Sequence, residues 1–331
     1  MTGWGILATG RIAHNFARDL REVPGARVAA VGARSLQRAR AFAEDLGDQD
    51  CAAYSSYAEL VKDPSVDVVY IASPHSLHLE HARLAFEAGK HVLCEKPVTL
   101  NQADALEMVR LAAEHDRFLM EAMWTLCHPL VIEIKRRLDS GEYGVPRQVH
   151  ADLGWYVDRP PTDRMLDPAL GGGALLDMGI YPLTFAQLML GDAEQLVAVA
   201  DLAESGVDLD VSIAGRHTGG GTSALTASMT CWPSRTATIA TTTGLIEVAP
   251  DFHHPPTATW SRRVEGRGEA EPIVATDPVL GRGYGNEALE VMRCIDAGLT
   301  ESPLVPHALT LAVMGQMDEL RRQVGVVYPG E

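Results

Sequence analysis

The chain has 331 residues, 46% of them apolar, and a formal charge of −16; this length exceeds one ordinary core and predicts two domains. So acidic a balance, with no basic run, excludes a nucleic-acid partner and favours a small neutral or locally neutralised molecule. No apolar run reaches the ~18 residues needed to cross a bilayer, no basic and apolar leader opens the chain, and five scattered cysteines form no CxxC pair, so a cytoplasmic protein with reduced thiols and no membrane partner is expected.

The first third alternates β-rich runs with amphipathic helical windows, as in a parallel sheet with helices on both faces. WGILATG reads as a strand and turn, residues 11–22 as a helix, ARVAAVGAR as a second strand, and SLQRARAFAEDLG as a helix ended by Gly47 as its C-terminal cap. DVVYIASP, HVLCEKP and RFLMEAMW read as further strands, separated by the helices SLHLEHARLAFEAGK and NQADALEMVRLAAEHD. The expectation for residues 1–122 is an α/β, doubly wound parallel sheet of the Rossmann type.

The turn between the first strand and first helix sits where a dinucleotide fingerprint belongs. G-x-G-x-x-G/A becomes Ala8-x-Gly10-x-x-Ala13, so the first glycine is missing and Ala8 predicts a turn with ordinary φ. Gly10, with Arg11 and Ile12 at the helix start, lets the backbone approach a pyrophosphate, which the unpaired N–H groups and helix dipole favour. A site for NAD would close the second strand with a carboxylate for the ribose 2′-hydroxyl. VGARSLQRA has none and offers Arg34, Ser35 and Arg38, which suit a 2′-phosphate, so NADP is the expected cofactor. The alternative is that Arg34 and Arg38 are surface residues. His75, His78 and His81 follow at a spacing of three, but without the fixed carboxylate or thiolate of a zinc site no metal is expected. Ser73, Pro74, His75 and His78 are expected to line the cofactor crevice instead.

After Trp124 the texture changes. A helix at PLVIEIKRRLDSG is followed by PRQVHADLGWYV, GTSALTASMTCW and RTATIATTTGLIEVA, which are Thr-rich, strand-like and separated by Gly or Pro turns. Residues 123–331 are therefore expected to form an α+β domain with an open, mainly antiparallel sheet. Its face of Thr and Ala is covered either by a second copy, giving a homodimer, or by helices of the same chain. VDRPPTDRMLDPAL, residues 157–170, suggests an ordered lid. In LGGGALLDMGIYPL, the glycines 171–173 permit a tight loop, and a helix from Ala174 places Asp177 and Tyr181 four apart on one face.

Gly10 with Ala13, the Glu95-Lys96-Pro97 strand end, residues 171–183 and the domain order together resemble the Gfo/Idh/MocA oxidoreductases over nearly the whole chain. EAMWTLCHP, Tyr181 and the tail MDELRRQVGVVYP most resemble the branch with dimeric dihydrodiol dehydrogenase and NADP-dependent D-xylose 1-dehydrogenase. The resemblance implies that Lys96 lies in the crevice at the carboxyl end of the sheet, where it stabilises charge on the reacting oxygen, and that Glu95 helps orient the cofactor and substrate site. Taken alone, Lys96 reads rather as a solvated lysine at a strand end. The wider family has His where this chain has Tyr181, a departure that fits the dihydrodiol branch, whose tyrosine is the proposed acid/base. A tyrosine needs a neighbouring cation to act as a base near neutrality, so the first proton transfer stays open between Tyr181 and Lys96.

By the same resemblance Asp177 binds a neighbouring hydroxyl, and Trp124 and His128 shape the substrate pocket; Trp155 and Tyr156 are further wall candidates against a reading as core aromatics. The implied reaction is hydride transfer between NADP and a secondary alcohol or hemiacetal carbon of a sugar or cyclic polyol. Two alternatives stand beside it: an NADPH-dependent reductase of an anhydro-ketosugar or related cyclic carbonyl, and a non-catalytic NADP-binding sensor or co-regulator on the same fold.

Overall fold

A computed structural model of the chain describes residues 1–47, 50–160, 162–263 and 268–330. It divides into two compact units, Met1–Cys127 with Val279–Thr310, and His128–Pro278 with Leu311–Glu331.

The first unit opens with β1 (Thr2–Leu7), α1 (Arg11–Asp19), β2 (Ala26–Gly32), α2 (Leu36–Leu46), β3 (Ala52–Tyr54), α3 (Tyr57–Leu60) and β4 (Val68–Ile71). It continues with α4 (His78–Glu87), β5 (His91–Glu95), α5 (Gln102–Glu114) and β6 (Leu119–Ala122). The strands form one sheet in the order β3-β2-β1-β4-β5-β6, and every pairing is parallel. The order reverses between β1 and β4, the switch point at which open α/β sheets leave a ligand crevice at the strands' carboxyl ends. The central strands are buried on both faces, which is why VVYI and HVLC carry no polar alternation. Local chemistry fixes the helix limits: Ser35 accepts the Arg38 N–H at the start of α2, Gly47 closes it at φ 65°, and Asn101 accepts the Asp104 N–H ahead of α5. The sequence reading missed β3, whose three half-buried residues are too few to show a period.

The second unit contains α6 (Pro129–Asp139), β7 (Pro146–Gly154), α7 (Ile180–Leu190), β8 (Ala193–Leu202), β9 (Asp208–His217), β10 (Thr222–Ser228), β11 (Ala237–Thr241), β12 (Gly244–Val248), β13 (Ala258–Arg262) and β14 (Ala270–Ile273). Its sheet runs β14-β13-β12-β11-β7-β10-β9-β8, antiparallel except for β10 beside β7. One face carries α7 across β7 and β10. That helix is apolar on all sides because it is buried on all sides; within the apolar stretch Pro168–Leu190 around it, an 18-residue window is 94% buried in the protein. On the other face the register aligns Val197, Ala214, Ala224 and His150 across β8, β9, β10 and β7. All four are exposed, Val197 at 53%, with Val199 two residues on at 70%.

The last two helices are α8 (Tyr284–Asp296) and α9 (His307–Val324). Here the expected boundary needs correcting: 279–310 belongs with the first unit, not with everything after residue 122. The reason lies in Asp19, whose buried carboxylate accepts the N–H of Arg282 at 2.6 Å and of Tyr284 at 3.1 Å and so ties the start of α8 to the end of α1. A contact across more than 260 residues leaves no local mark in the sequence.

Candidate active site

Within the first unit, the chain leaves β1 through Ala8 and enters α1 after Gly10. Ala8 has φ 79°, which corrects the expected ordinary turn. Its N–H still pairs with Gly32 O at 3.1 Å, so the backbone must reverse within one residue, and the left-handed conformation does this despite the Cβ. Gly10 caps α1 with no side-chain bond of its own, and a Cβ there would meet nothing within 4 Å. The space and the helix N–H groups fit a pyrophosphate. Beside it lies a cavity of about 770 Å³ lined by Thr9, Arg11, His14, Arg18, Arg38 and Asp45 among others. Arg18 bonds Asp45 at 3.0 Å and holds its carboxyl below the usual range. Arg34 is exposed at the end of β2, where no carboxylate stands. Ser35 Oγ is engaged as the cap of α2, leaving its hydroxyl proton for a ligand. These residues fit NADP, since two guanidiniums and a hydroxyl suit its 2′-phosphate.

At the end of β5 the Lys96–Pro97 peptide is cis, and the turn it makes is braced from three sides. Glu95 accepts the Tyr70 hydroxyl with one carboxylate oxygen and the Lys96 N–H at 3.2 Å with the other. His78 is fully buried, with Nδ1 3.0 Å from Pro97 O and Nε2 2.9 Å from Ser73 O. Ser73 Oγ meets His81 Nδ1 at 2.8 Å. His78 thus links the Ser73 backbone to the lysine turn. Glu121 on β6 accepts the Val98 N–H at 3.0 Å and the Thr310 hydroxyl at 2.9 Å. Burial pushes its carboxyl up to about 7, and Lys96 opposes that shift. Trp124, just past β6, stacks on Tyr284 with ring centroids 4.1 Å apart. The sequence reading passed over Tyr70 and Glu121, although a charged residue inside the apolar strand LMEA was a visible signal.

Within the second unit, Gly171 (φ 76°) and Gly173 (φ 125°) shape the loop before α7. Residues 175–179 form a π-helical turn, not the α-helix expected from Ala174. The Asp208 carboxylate accepts the Leu175 N–H at 2.5 Å, and Tyr328 donates to Gly172 O at 2.7 Å. Braced in this way, Asp177 and Tyr181 are both buried, at 5% and 7% exposure, and Arg164 of the 157–170 segment stands 3.6 Å from Asp177. Pro161 of that segment lies outside the described residues.

His128 caps α6 by accepting the Leu130 N–H at 3.3 Å, and burial, with His254, lowers its pKa to about 4, so the ring is neutral. Trp155 is half-buried and Tyr156 is exposed at 56%. The His253 ring lies 5.0 Å from that of Tyr181 and 4.4 Å from that of His254. The sequence reading missed this pair, although two adjacent histidines before two prolines were there to be read.

Residues 2–123 match the family model described as "Oxidoreductase family, NAD-binding Rossmann fold", and residues 131–247 match the Gfo/Idh/MocA C-terminal domain. The chain is similar to trans-1,2-dihydrobenzene-1,2-diol dehydrogenase of Danio rerio, at 37% identity over 98% of this chain and 97% of that one. It is also similar to the NADP-dependent D-xylose 1-dehydrogenase of Hypocrea jecorina, at 36% identity over 98% and 93%. Among solved structures, a 3-ketoreductase from Actinomadura kijaniata bound to NADP matches 98% of both chains at 25% identity, with a TM-score of 0.83.

Proposed function

The chain belongs to the Gfo/Idh/MocA oxidoreductase family, and on that premise we propose that Lys96, Asp177 and Tyr181 carry its reaction. It is an NADP-dependent oxidoreductase of sugars or cyclic polyols, as its dehydrogenase relatives indicate. Bound NADP supplies the hydride acceptor. Tyr181 takes the substrate hydroxyl proton, Lys96 hydrogen-bonds the reacting oxygen and favours the tyrosinate, and Asp177 holds a neighbouring hydroxyl. Glu95 and Glu121 keep the lysine turn in one geometry.

The observation that carries this reading is the bracing of the acid/base residues: Asp177 and Tyr181 leave a helix start fixed by Asp208 and Tyr328. A sensor requires only the nucleotide site, so the retention of all three residues speaks against the non-catalytic alternative. A reductase acting on a cyclic carbonyl uses the same groups in reverse, and the relatives' names favour oxidation of an alcohol. The test is NADPH absorbance with NADP, then NAD, against aldopentoses, aldohexoses, inositols and cyclic diols. Oxidation of one class with NADP is expected, and Lys96→Ala and Tyr181→Phe should each lower turnover at least about 100-fold. Normal turnover in both variants, with NADP still bound, overturns the assignment.

The exposed row Val197, Ala214, Ala224 and His150, with Val199 beside it, supports a homodimer through the open sheet face, because it leaves apolar side chains uncovered. Only monomer in sedimentation at micromolar concentration would refute it. Five cysteines, all free among the described residues, support a cytoplasmic enzyme.

A further inference from the structure

Tyr328 lies in the short segment that follows α9, outside any helix or strand, yet it is only 1% exposed. The helix ends at Val324, Gly325 follows at φ 81°, and the chain turns back so that the Val326 N–H donates to Arg321 O at 3.0 Å. Val326 is buried, and the buried Arg321 guanidinium stands over the Tyr328 ring, 4.8 Å from its centroid. Held in this way, the ring places its hydroxyl on Gly172 O at 2.7 Å.

That carbonyl belongs to the middle of three glycines, a stretch with no side chains to hold its shape and the most conformational entropy to lose. The loop is therefore only as fixed as the bonds its backbone makes. Gly172 N–H donates to Asp167 O at 3.0 Å and Gly173 N–H to Met165 O at 2.9 Å, while Gly173 O accepts the Asp177 N–H at 3.3 Å. Tyr328 thus grips the carbonyl of the Gly172–Gly173 peptide, and the very next carbonyl holds the backbone of Asp177. The packing is close: a Cβ on Gly172 would come 2.7 Å from Met165 O, and one on Gly173 would come 3.3 Å from the Tyr328 hydroxyl.

Removing only the hydroxyl leaves a buried carbonyl unpaired in the segment that carries Asp177. A small displacement of a group that orients the reacting atoms is costly to turnover even when it starts far from the chemistry. We propose that Tyr328 is a positioning residue for the reaction: it fixes the Gly172–Gly173 peptide and, through that peptide, the side chain of Asp177. This rests on the reading of Asp177 given above and adds the segment after α9 to the support of the site.

The experiment is a double-mutant cycle on the NADP-loaded protein, with the sugar oxidised best in the panel above. It compares the wild type, Tyr328→Phe, Asp177→Ala and the double variant, with kcat expressed per NADP-binding site and with NADP affinity and thermal midpoint measured alongside. Tyr328→Phe should lower kcat at least about tenfold while NADP affinity stays within about twofold of wild type. In the Asp177→Ala background the same change should cost less than about threefold, because the group it positions is already gone. Equal losses in both backgrounds, an unchanged kcat in Tyr328→Phe, or a Tyr328→Phe protein that does not fold would each assign Tyr328 to stability alone; any of these overturns the proposal and leaves the dehydrogenase reading standing. Normal kcat/KM in Asp177→Ala overturns the role of Asp177 and the proposal with it. A protein that binds NADP and oxidises no member of the panel overturns both.

Discussion

Glu121 accepts the backbone N–H of Val98 at 3.0 Å, which ties the end of β6 to the turn that carries Lys96. The same carboxyl is fully buried, and its pKa is raised from 4.5 to about 7, mainly by desolvation. The folded protein therefore keeps a proton there that the unfolded chain has already released. The associated stability is fully present below the unfolded value and is lost as pH rises through about 7. Glu121→Gln has no proton to lose, so the fall in urea midpoint between mildly acidic and mildly alkaline pH should flatten in this variant. An unchanged slope would mean that Glu121 is ionised throughout.

Gly173→Ala should be strongly destabilising. The residue has φ 125°, and a Cβ would come 2.4 Å from Oδ1 of Asp208, the buried residue whose other carboxylate oxygen accepts the Leu175 N–H at the start of the π-helical turn. A loss of about 2–4 kcal/mol in chemical denaturation is expected, together with a fall in kcat, because the displaced segment carries Asp177 and Tyr181. A variant as stable as wild type would show that the loop relaxes freely.

Ala8→Gly should act in the opposite direction. The left-handed conformation at φ 79° costs an alanine about 1–2 kcal/mol, and glycine recovers this less its own entropy cost. A thermal midpoint raised by about 2–4 °C, for a net gain of ~1 kcal/mol, is predicted, with NADP affinity equal or improved. A lower midpoint would rule out strain at this turn.

Arg34→Ala should raise KM for NADP about 10–100-fold and leave KM for NAD nearly unchanged, since only the 2′-phosphate distinguishes the two. Arg38→Ala should do the same more weakly, because that residue also lines the cavity beside α1. Parallel losses for both cofactors would assign the arginines to general attraction instead.

Much of the first unit was legible because its information is local. β-rich runs alternate with helical windows, Ser35, Gly47 and Asn101 mark helix ends through bonds to residues three or four away, and the missing acid at the end of β2 speaks through residue type alone. The second unit showed the runs that become β7, β10, β11 and β12 but not β8, β9, β13 and β14, nor the strand order, because the parallel β10 and β7 pair joins segments some 74 residues apart in the chain. The left-handed Ala8 was illegible because alanine carries no signal for it, and the π-helical turn at 175–179 is imposed by Asp208 and Tyr328 from distant segments.

The sequence by itself determined the alternation that makes a doubly wound sheet, and it supplied the glycine and arginines proposed for the nucleotide site and the residues proposed for acid/base chemistry. Only the tertiary structure decided that α8 returns to the first unit, that Glu121 and His78 hold the lysine turn, and that Tyr328 reaches Gly172. Periodicity and capping act over one or two turns of chain, whereas a buried carboxylate or a docked aromatic finds its partner wherever folding brings it.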